Sequence, residues 1–259
     1  MRIYLRQGNI TFSRDFVEHL KNKGIILTRR NHFKRSGIII NHGNTKPITK
    51  ANNVKDLYLI NKPEAISLCS DKMKNYKILN QFYPKTCRAV VDVKKFPVLA
   101  KPINGHHGYG IKKFDYIEDL SKFMKGVNKP YIIQEYIPIK HEYRFNILDR
   151  DVFQVSHKER LDEFTDKGGY VFSYRSLGKD AKLSKKFKDF VKDVIKAFHE
   201  VVGYTLGDYC IDVIKGQDNK YYLSEINSAY GVGQFTVDKL IETLNDKYRN
   251  GELEQYRVR

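Results

Sequence analysis

A glycine-rich loop that runs on into a strand, not a helix, narrows the folds open to this chain. Pro97-Val98-Leu99-Ala100-Lys101 reads as a strand and Asn104-Gly105-His106-His107-Gly108-Tyr109-Gly110 as the loop. A second strand and a helix from about Ile117 to Lys125, stopped by Gly126, complete the unit. Gly105, Gly108 and Gly110 let backbone N–H groups approach a phosphate closely. A Rossmann fingerprint needs a helix straight after its glycines, and a Walker loop needs a closing Gly-Lys-Ser/Thr, so neither applies. By itself the loop fits a glycine-rich hairpin with exposed histidines at least as well.

A second informative segment is Tyr221-Tyr222-Leu223-Ser224-Glu225-Ile226-Asn227, in which Glu225 and Asn227 stand two apart at a strand end and so share a face. If the chain turns through Gln217 to Asn219, Asp212 on the preceding strand lies opposite or diagonal to Glu225. Oxygens of Asp, Glu and Asn suit Mg²⁺, which takes few protein carboxylates and completes its shell with phosphates and water. An acidic strand edge facing solvent is the alternative. Against it, the carboxylates are flanked by Cys210, Ile211, Val213, Leu223 and Ile226, and buried acids need a partner.

Three further stretches are ambiguous on local grounds. Gln134-Glu135-Tyr136-Ile137-Pro138 is either a plain strand exit or a linker whose backbone meets an adenine edge. Glu142-Tyr143-Arg144 places an acid and a base on one strand face, as a surface ion pair or as contacts to ribose and phosphate. Lys158, Arg160 and Arg175 flank Asp162 to Tyr174, which reads as a mobile loop.

Elsewhere the chain alternates strand and helix. Arg2 to Leu5, a helix from about Arg14 to Lys23 closed by Gly24, Ile25 to Leu27 and Gly37 to Ile40 predict a small parallel α/β layer. Ser70 is placed as an N-cap for a helix that Pro84 ends. A hairpin turns at Asp149-Arg150-Asp151. Phe187, Phe190, Val191, Val194, Ile195, Phe198, Val201 and Val202 mark a long amphipathic helix closed by Gly203, and a last helix spans about Gln234 to Lys247.

In order and spacing these motifs resemble the ATP-grasp superfamily, and most closely its peptide-ligase branch, which includes the enzyme that adds glutamate to a ribosomal protein. The stretches that carry the resemblance are Leu59 to Ile66, Ser70-Asp71-Lys72, Pro97 to Gly110, Gln134 to Ile137, Ile211-Asp212-Val213 and Ser224 to Ser228. The resemblance implies an α/β fold with two lobes clasping ATP, at 69–133 and 134–259, preceded by a short α/β domain at 1–68. It puts Lys72 and Lys101 on the phosphates or adenine, and folds Gly105, His106, His107, Gly108, Tyr109 and Gly110 over the phosphates. It places Gln134, Glu135, Tyr136 and Ile137 at the adenine, Glu142 at the ribose, and Lys158 among the nucleotide contacts. Arg144 and Arg175 would be catalytic, stabilising the phosphoryl group in flight. Asp212, Glu225 and Asn227 would hold Mg²⁺, with Mn²⁺ as a substitute. The implied reaction is ATP-dependent joining of a carboxylate to an amine through an acyl phosphate.

The formal charge of +17 makes an acidic peptide or a nucleic acid a candidate partner, against a lysine-rich surface that serves solubility alone. The alternatives to a ligase are a phosphotransferase using the same cleft and a basic nucleic-acid-binding module without turnover. Retained acids at Asp212 and Glu225 speak against the second, because a binder of polyanions gains by losing them. There is no apolar signal core or membrane-length apolar run, and Cys69, Cys87 and Cys210 form no CxxC pair, so the expectation is a cytoplasmic protein without membrane attachment.

Overall fold

The computed structural model describes residues 2–7, 12–50, 54–105, 108–164, 170–178, 182–230 and 233–258. Its first part holds β1 (Ile3–Gln7), α1 (Arg14–Asn22), β2 (Ile25–Thr28), β3 (His32–Phe33), β4 (Gly37–His42), β5 (Thr49–Lys50) and β6 (Leu57–Ile60). Four of these strands form a wholly parallel sheet in the order β2-β1-β4-β6. Ile38, Ile39 and Ile40 on β4 are all buried, as a central strand covered on both faces requires. α1 starts where the Ser13 hydroxyl accepts the Phe16 amide, with Asp15 in its first turn and Lys21 in its last, matching the helix dipole at both ends.

Next come α2 (Pro63–Ser70), α3 (Lys72–Leu79), β7 (Thr86–Cys87), β8 (Val98–Pro102), β9 (Lys112–Phe114), α4 (Ile117–Gly126) and β10 (Tyr131–Glu135). Their antiparallel sheet has the order β7-β10-β8-β9. The cap of α3 is Asp71 rather than Ser70. The Asp71 carboxylate accepts the amides of Met73 and Lys74, whereas Ser70 ends α2 and donates its hydroxyl proton to Ser67 O. α2 itself opens on Pro63, whose missing N–H costs nothing at the first helical position.

The last part comprises β11 (Ile139–Leu148), β12 (Asp151–Phe164), β13 (Tyr170–Gly178), α5 (Lys185–Val202), β14 (Asp208–Gly216), β15 (Tyr221–Asn227) and α6 (Gln234–Arg249). The strands make one antiparallel sheet, β13-β12-β11-β14-β15. The expected loop from Asp162 to Tyr174 is therefore corrected: β12 continues to Phe164 and β13 begins at Tyr170, because cross-strand pairing extends well past Lys158.

α5 lies on one face of this sheet. Its Phe187, Val191, Val194 and Phe198 pack on Phe145, Val155, Ile211 and Val213, and each such burial is worth about 1.5–3 kcal/mol. Period-two alternation then turns Glu142, Arg144, Asp208 and Asp212 to the other face. Asn61 ties the parallel sheet to β14, its amide donating to Asp208 O and its oxygen accepting the amides of Gly207 and Asp208. No helix among the described residues is long and apolar enough to cross a membrane.

Candidate active site

The two antiparallel sheets meet at a crevice of about 10 Å³ lined by Lys72, Lys101, Gln134 and Glu225 together with Tyr76 and Tyr83. α3 supplies Lys72, the neighbouring strands β8 and β10 supply Lys101 and Gln134, and β15 supplies Glu225. Lys101 is buried and donates through Nζ to Gln134 Oε1 at 2.7 Å; the Gln134 amide in turn donates to Thr86 Oγ1 at 2.9 Å. A neutral amide does not replace water around an ammonium, so burial pushes the Lys101 pKa down to about 8, with Glu225 pulling the other way. Lys72 Nζ donates to Gly105 O at 2.6 Å and stands 3.5 Å from Glu225 Oε1, so α3 is fastened to the start of the glycine loop and to the opposite sheet.

Two glycines of the loop have a physical requirement. Gly110 has φ +73, and a Cβ there would lie 3.1 Å from Pro102 Cγ and 3.2 Å from the Tyr131 hydroxyl. Gly108 is also left-handed, with φ 69. His106 and His107 lie outside the described residues. Tyr109 is described and half-buried. At the end of β10, the amides of Glu135 and Tyr136 already donate to Lys85 O and Pro97 O, so those two donors are committed within the protein.

A buried charge cluster occupies the inner face of the five-stranded sheet. Arg144 forks onto Asp212, with Nε to Oδ1 at 2.7 Å and Nη2 to Oδ2 at 2.9 Å. Lys158 bridges Asp212 Oδ2 at 2.7 Å and Glu142 Oε1 at 2.8 Å. Burial opposes all these charges, but mutual attraction outweighs it. Arg144 and then Lys158 hold the Asp212 carboxyl well below the usual range, and Asp212 and Glu142 hold Lys158 above the ordinary lysine value. Two aromatics that no sequence motif singles out complete the cluster: the Tyr174 ring lies 4.7 Å from the Arg144 guanidinium and the Phe172 ring 4.4 Å from Lys158 Nζ. Their signal was the alternation Phe172, Tyr174, Ser176 on β13.

Arg175 is not brought into this cluster. It pairs with His157, beside Tyr143, on the sheet face opposite Arg144, because Tyr174 and Ser176 take the inward positions. Asp212 and Glu225 are direct cross-strand partners. Glu225 is partly exposed, at 30%, and the Asn227 oxygen accepts the Ala229 amide at 2.8 Å. Among the described residues no group of three or more His, Cys, Asp or Glu side chains could hold a metal ion. The donor set still suits a hard cation: Glu225 and Asn227 offer oxygens, and Asp212 adds a third once Arg144 or Lys158 gives way.

The model of the ATP-grasp domain matches residues 69–230, well over half of the chain. The chain belongs to the ATP-grasp family and has its fold. Among solved structures it is similar to D-alanine–D-alanine ligase from Bacillus anthracis complexed with ATP, at 16% identity and TM-score 0.61 over 96% of this chain and 99% of that one. N5-carboxyaminoimidazole synthetase from Staphylococcus aureus complexed with ADP gives 11% and 0.61 over 92% and 73%, and L-amino acid ligase from Bacillus licheniformis 12% and 0.54 over 90% and 68%. At these identities the likeness is one of fold. No curated protein sequence matches the chain.

Proposed function

We propose that this chain is an ATP-dependent ligase that activates a carboxylate as an acyl phosphate and passes it to an amine, with release of ADP and phosphate. The observation that carries the reading is the set of four cations, Lys72, Lys101, Arg144 and Lys158, buried or half-buried where the two antiparallel sheets face each other, with Glu225 and Asp212 among them. A carboxylate is a poor electrophile until it carries a phosphoryl group. In-line transfer of that group spreads negative charge over its oxygens, which fixed cations in a water-poor site stabilise. On this reading Lys72 and Lys101 hold the nucleotide phosphates, the Gly105 to Gly110 segment covers them, Glu142 meets the ribose, and Arg144 faces the transferred group. Glu225, Asn227 and Asp212 would hold Mg²⁺, which neutralises phosphate charge when bound.

The crevice between Lys72, Lys101 and Glu225 holds about 10 Å³, room for a water-sized group, whereas small-molecule sites run to roughly 300–1,000 Å³, so on this reading the two sheets move apart when ATP binds. We read the sheets β7-β10-β8-β9 and β13-β12-β11-β14-β15 as the units that move, which puts their junction after Glu135, at the end of β10, and not at the expected 133/134. The +17 charge supports an acidic peptide as one substrate.

The test is incubation with ATP, MgCl₂ and a pool of amino acids and acidic peptides whose carboxylates carry ¹⁸O. ADP, an amide product and ¹⁸O in the released phosphate are expected. AMP release, or a phosphorylated acceptor without any amide, would refute the assignment.

A further inference from the structure

The edge of a sheet exposes unpaired N–H and C=O groups on which another chain can pair, and proteins cover or blunt such edges. Among the described residues, this chain does so at every sheet edge but one. The parallel sheet ends on one side in β6, where Val258 N donates to Leu57 O and Arg257 bridges to Tyr58. On its other side β2 is four residues long and runs straight into Arg29 and Arg30. β3, β5 and β7 have two residues each, and β9 has three, two of them lysines. On the five-stranded sheet, Leu223 N of the edge strand β15 donates to Phe82 O.

The exception is β13, the opposite edge of that sheet. From Tyr170 to Gly178 it holds no proline, no lysine and no carboxylate. Its pairing with β12 is irregular at both ends, but it runs without a break from Phe172 opposite Arg160 to Ser176 opposite Ser156. Along that stretch alternate residues turn their backbone groups away from β12, as an antiparallel ladder requires, and no other described strand meets them. Tyr174, Arg175 and Ser176 are all exposed, Tyr174 at 44%, and Arg175 has no ion-pair partner.

The side chains of β13 sort what can pair there. Phe172 and Tyr174 lie on the inner face, over Lys158 and Arg144, and Arg175 lies on the outer one. A strand added about 4.8 Å from β13 sets one row of its side chains against two aromatics at the rim of the charge cluster, and the other row beside an uncompensated guanidinium. Charge disfavours a second copy of this chain as the occupant, because each copy carries +17. An acidic chain is attracted by the whole molecule and by Arg175 in particular.

We infer that β13 is the docking edge for an extended acidic peptide, which adds as a further strand with apolar side chains on Phe172 and Tyr174 and a carboxylate at Arg175. Main-chain hydrogen bonds supply the affinity and alternate side chains the selectivity. As the seat of a peptide substrate this edge rests on the ligase reading; the docking itself does not.

Fluorescence anisotropy on the full chain, without ATP, tests the docking with a short labelled peptide of alternating glutamate and valine. Two derivatives carry N-methyl groups on either the glutamate or the valine amides. An added strand turns one set of N–H groups toward β13 and the other to solvent, so one derivative should bind about tenfold weaker and the other like the parent. Arg175→Glu changes an exposed side chain, should keep its fold by circular dichroism, and should bind the parent peptide about tenfold weaker. Hydrogen exchange at Phe172 to Ser176 should slow when the peptide is added, and Lys101→Met, in the nucleotide cleft, should bind it like the wild type. No binding at millimolar peptide, equal binding of the two methylated derivatives, unchanged affinity in Arg175→Glu, or loss in Lys101→Met would overturn the inference. So would a second copy of the chain or an RNA oligonucleotide that protects Phe172 to Ser176 when the peptide does not. The ligase reading fails separately, on the absence of ADP and amide from the substrate pool.

Discussion

Replacing Lys101 with Met removes a charge that the folded chain holds against its own burial. The drop in pKa from 10.5 to about 8 corresponds, at about 1.36 kcal/mol per tenfold change in proton affinity, to about 3 kcal/mol of lost stability at neutral pH. Met fills nearly the same space without that penalty. It also leaves Gln134 Oε1 without its donor, at about 1–3 kcal/mol, so the net change at pH 7 lies between zero and about 2 kcal/mol of stabilisation. The pH dependence is the decisive readout. Between pH 8 and 10.5 the unfolded wild type binds the Lys101 proton that the folded protein has shed, so wild-type stability rises with pH over that window, and the Met variant lacks this rise. Urea unfolding at each pH should show the variant's advantage shrinking by about 3 kcal/mol, other titrating groups cancelling in the difference. Parallel curves would refute the burial argument. ATP supplies the negative charge Lys101 lacks, so binding near pH 8 to 9 should take up a proton, measurable by calorimetry in buffers of different ionisation heat. The variant should lose about 2–5 kcal/mol of ATP affinity.

Asp212→Asn leaves Arg144 and Lys158 with Glu142 as their remaining counter-charge, and should cost about 3–5 kcal/mol by urea unfolding; adding Lys158→Met rebalances the cluster and recovers part. Because the Asp212 carboxyl is held low in the folded state, its contribution is present above the ordinary aspartate pKa near 4 and is lost as pH falls below it, a loss that an acid titration should show and Asp212→Asn should lack. Glu225→Gln should fold normally and lose ligation by roughly 100-fold, with Mn²⁺ restoring part; near-normal ADP formation with a confirmed substrate would place the metal elsewhere. Gly110→Ala should destabilise by about 1–2 kcal/mol through its left-handed backbone and the contact with Pro102, while Gly126→Ala, with open space at its Cβ, should not. If an acidic peptide is the substrate, its KM should climb steeply with salt while that of a neutral amino acid stays level, as initial rates across a NaCl series would show.

Most elements are legible in the sequence because local chemistry decides them. Gly24, Gly126 and Gly203 mark the ends of helices, the stripe from Phe187 to Val202 is α5, and the turn at Gly216 to Asn219 sets Asp212 opposite Glu225. Two differences come from choosing between neighbours with equivalent local credentials, and a third, the pairing that carries β12 to Phe164 and β13 back to Tyr170, comes from cross-strand partners. Ser70 and Asp71 can both cap a helix, and only the carboxylate reaches two amides. Arg175 and Tyr174 sit side by side on β13, and the register with β12 decides which turns inward. No property of either residue taken singly contains that decision.

The charge cluster shows what local pattern leaves out. Glu142 and Arg144 look like an acid and a base that could pair along one strand, yet each finds its partner on a neighbouring strand, Glu142 on β12 and Arg144 on β14, because β11 lies between the two. Lys158 then joins both pairs into one neutral unit. Asp212, 68 residues from Arg144 in sequence, is thereby answered by two cations before any metal arrives. A divalent ion approaching the cleft alone meets a compensated carboxylate, so its attraction there is weak. On the ligase reading, phosphates that drew Lys158 and Arg144 toward themselves would uncover Asp212 and add oxygens of their own. On the ligase reading, metal and nucleotide therefore load as one, and the lysine absent from every metal motif sets the order.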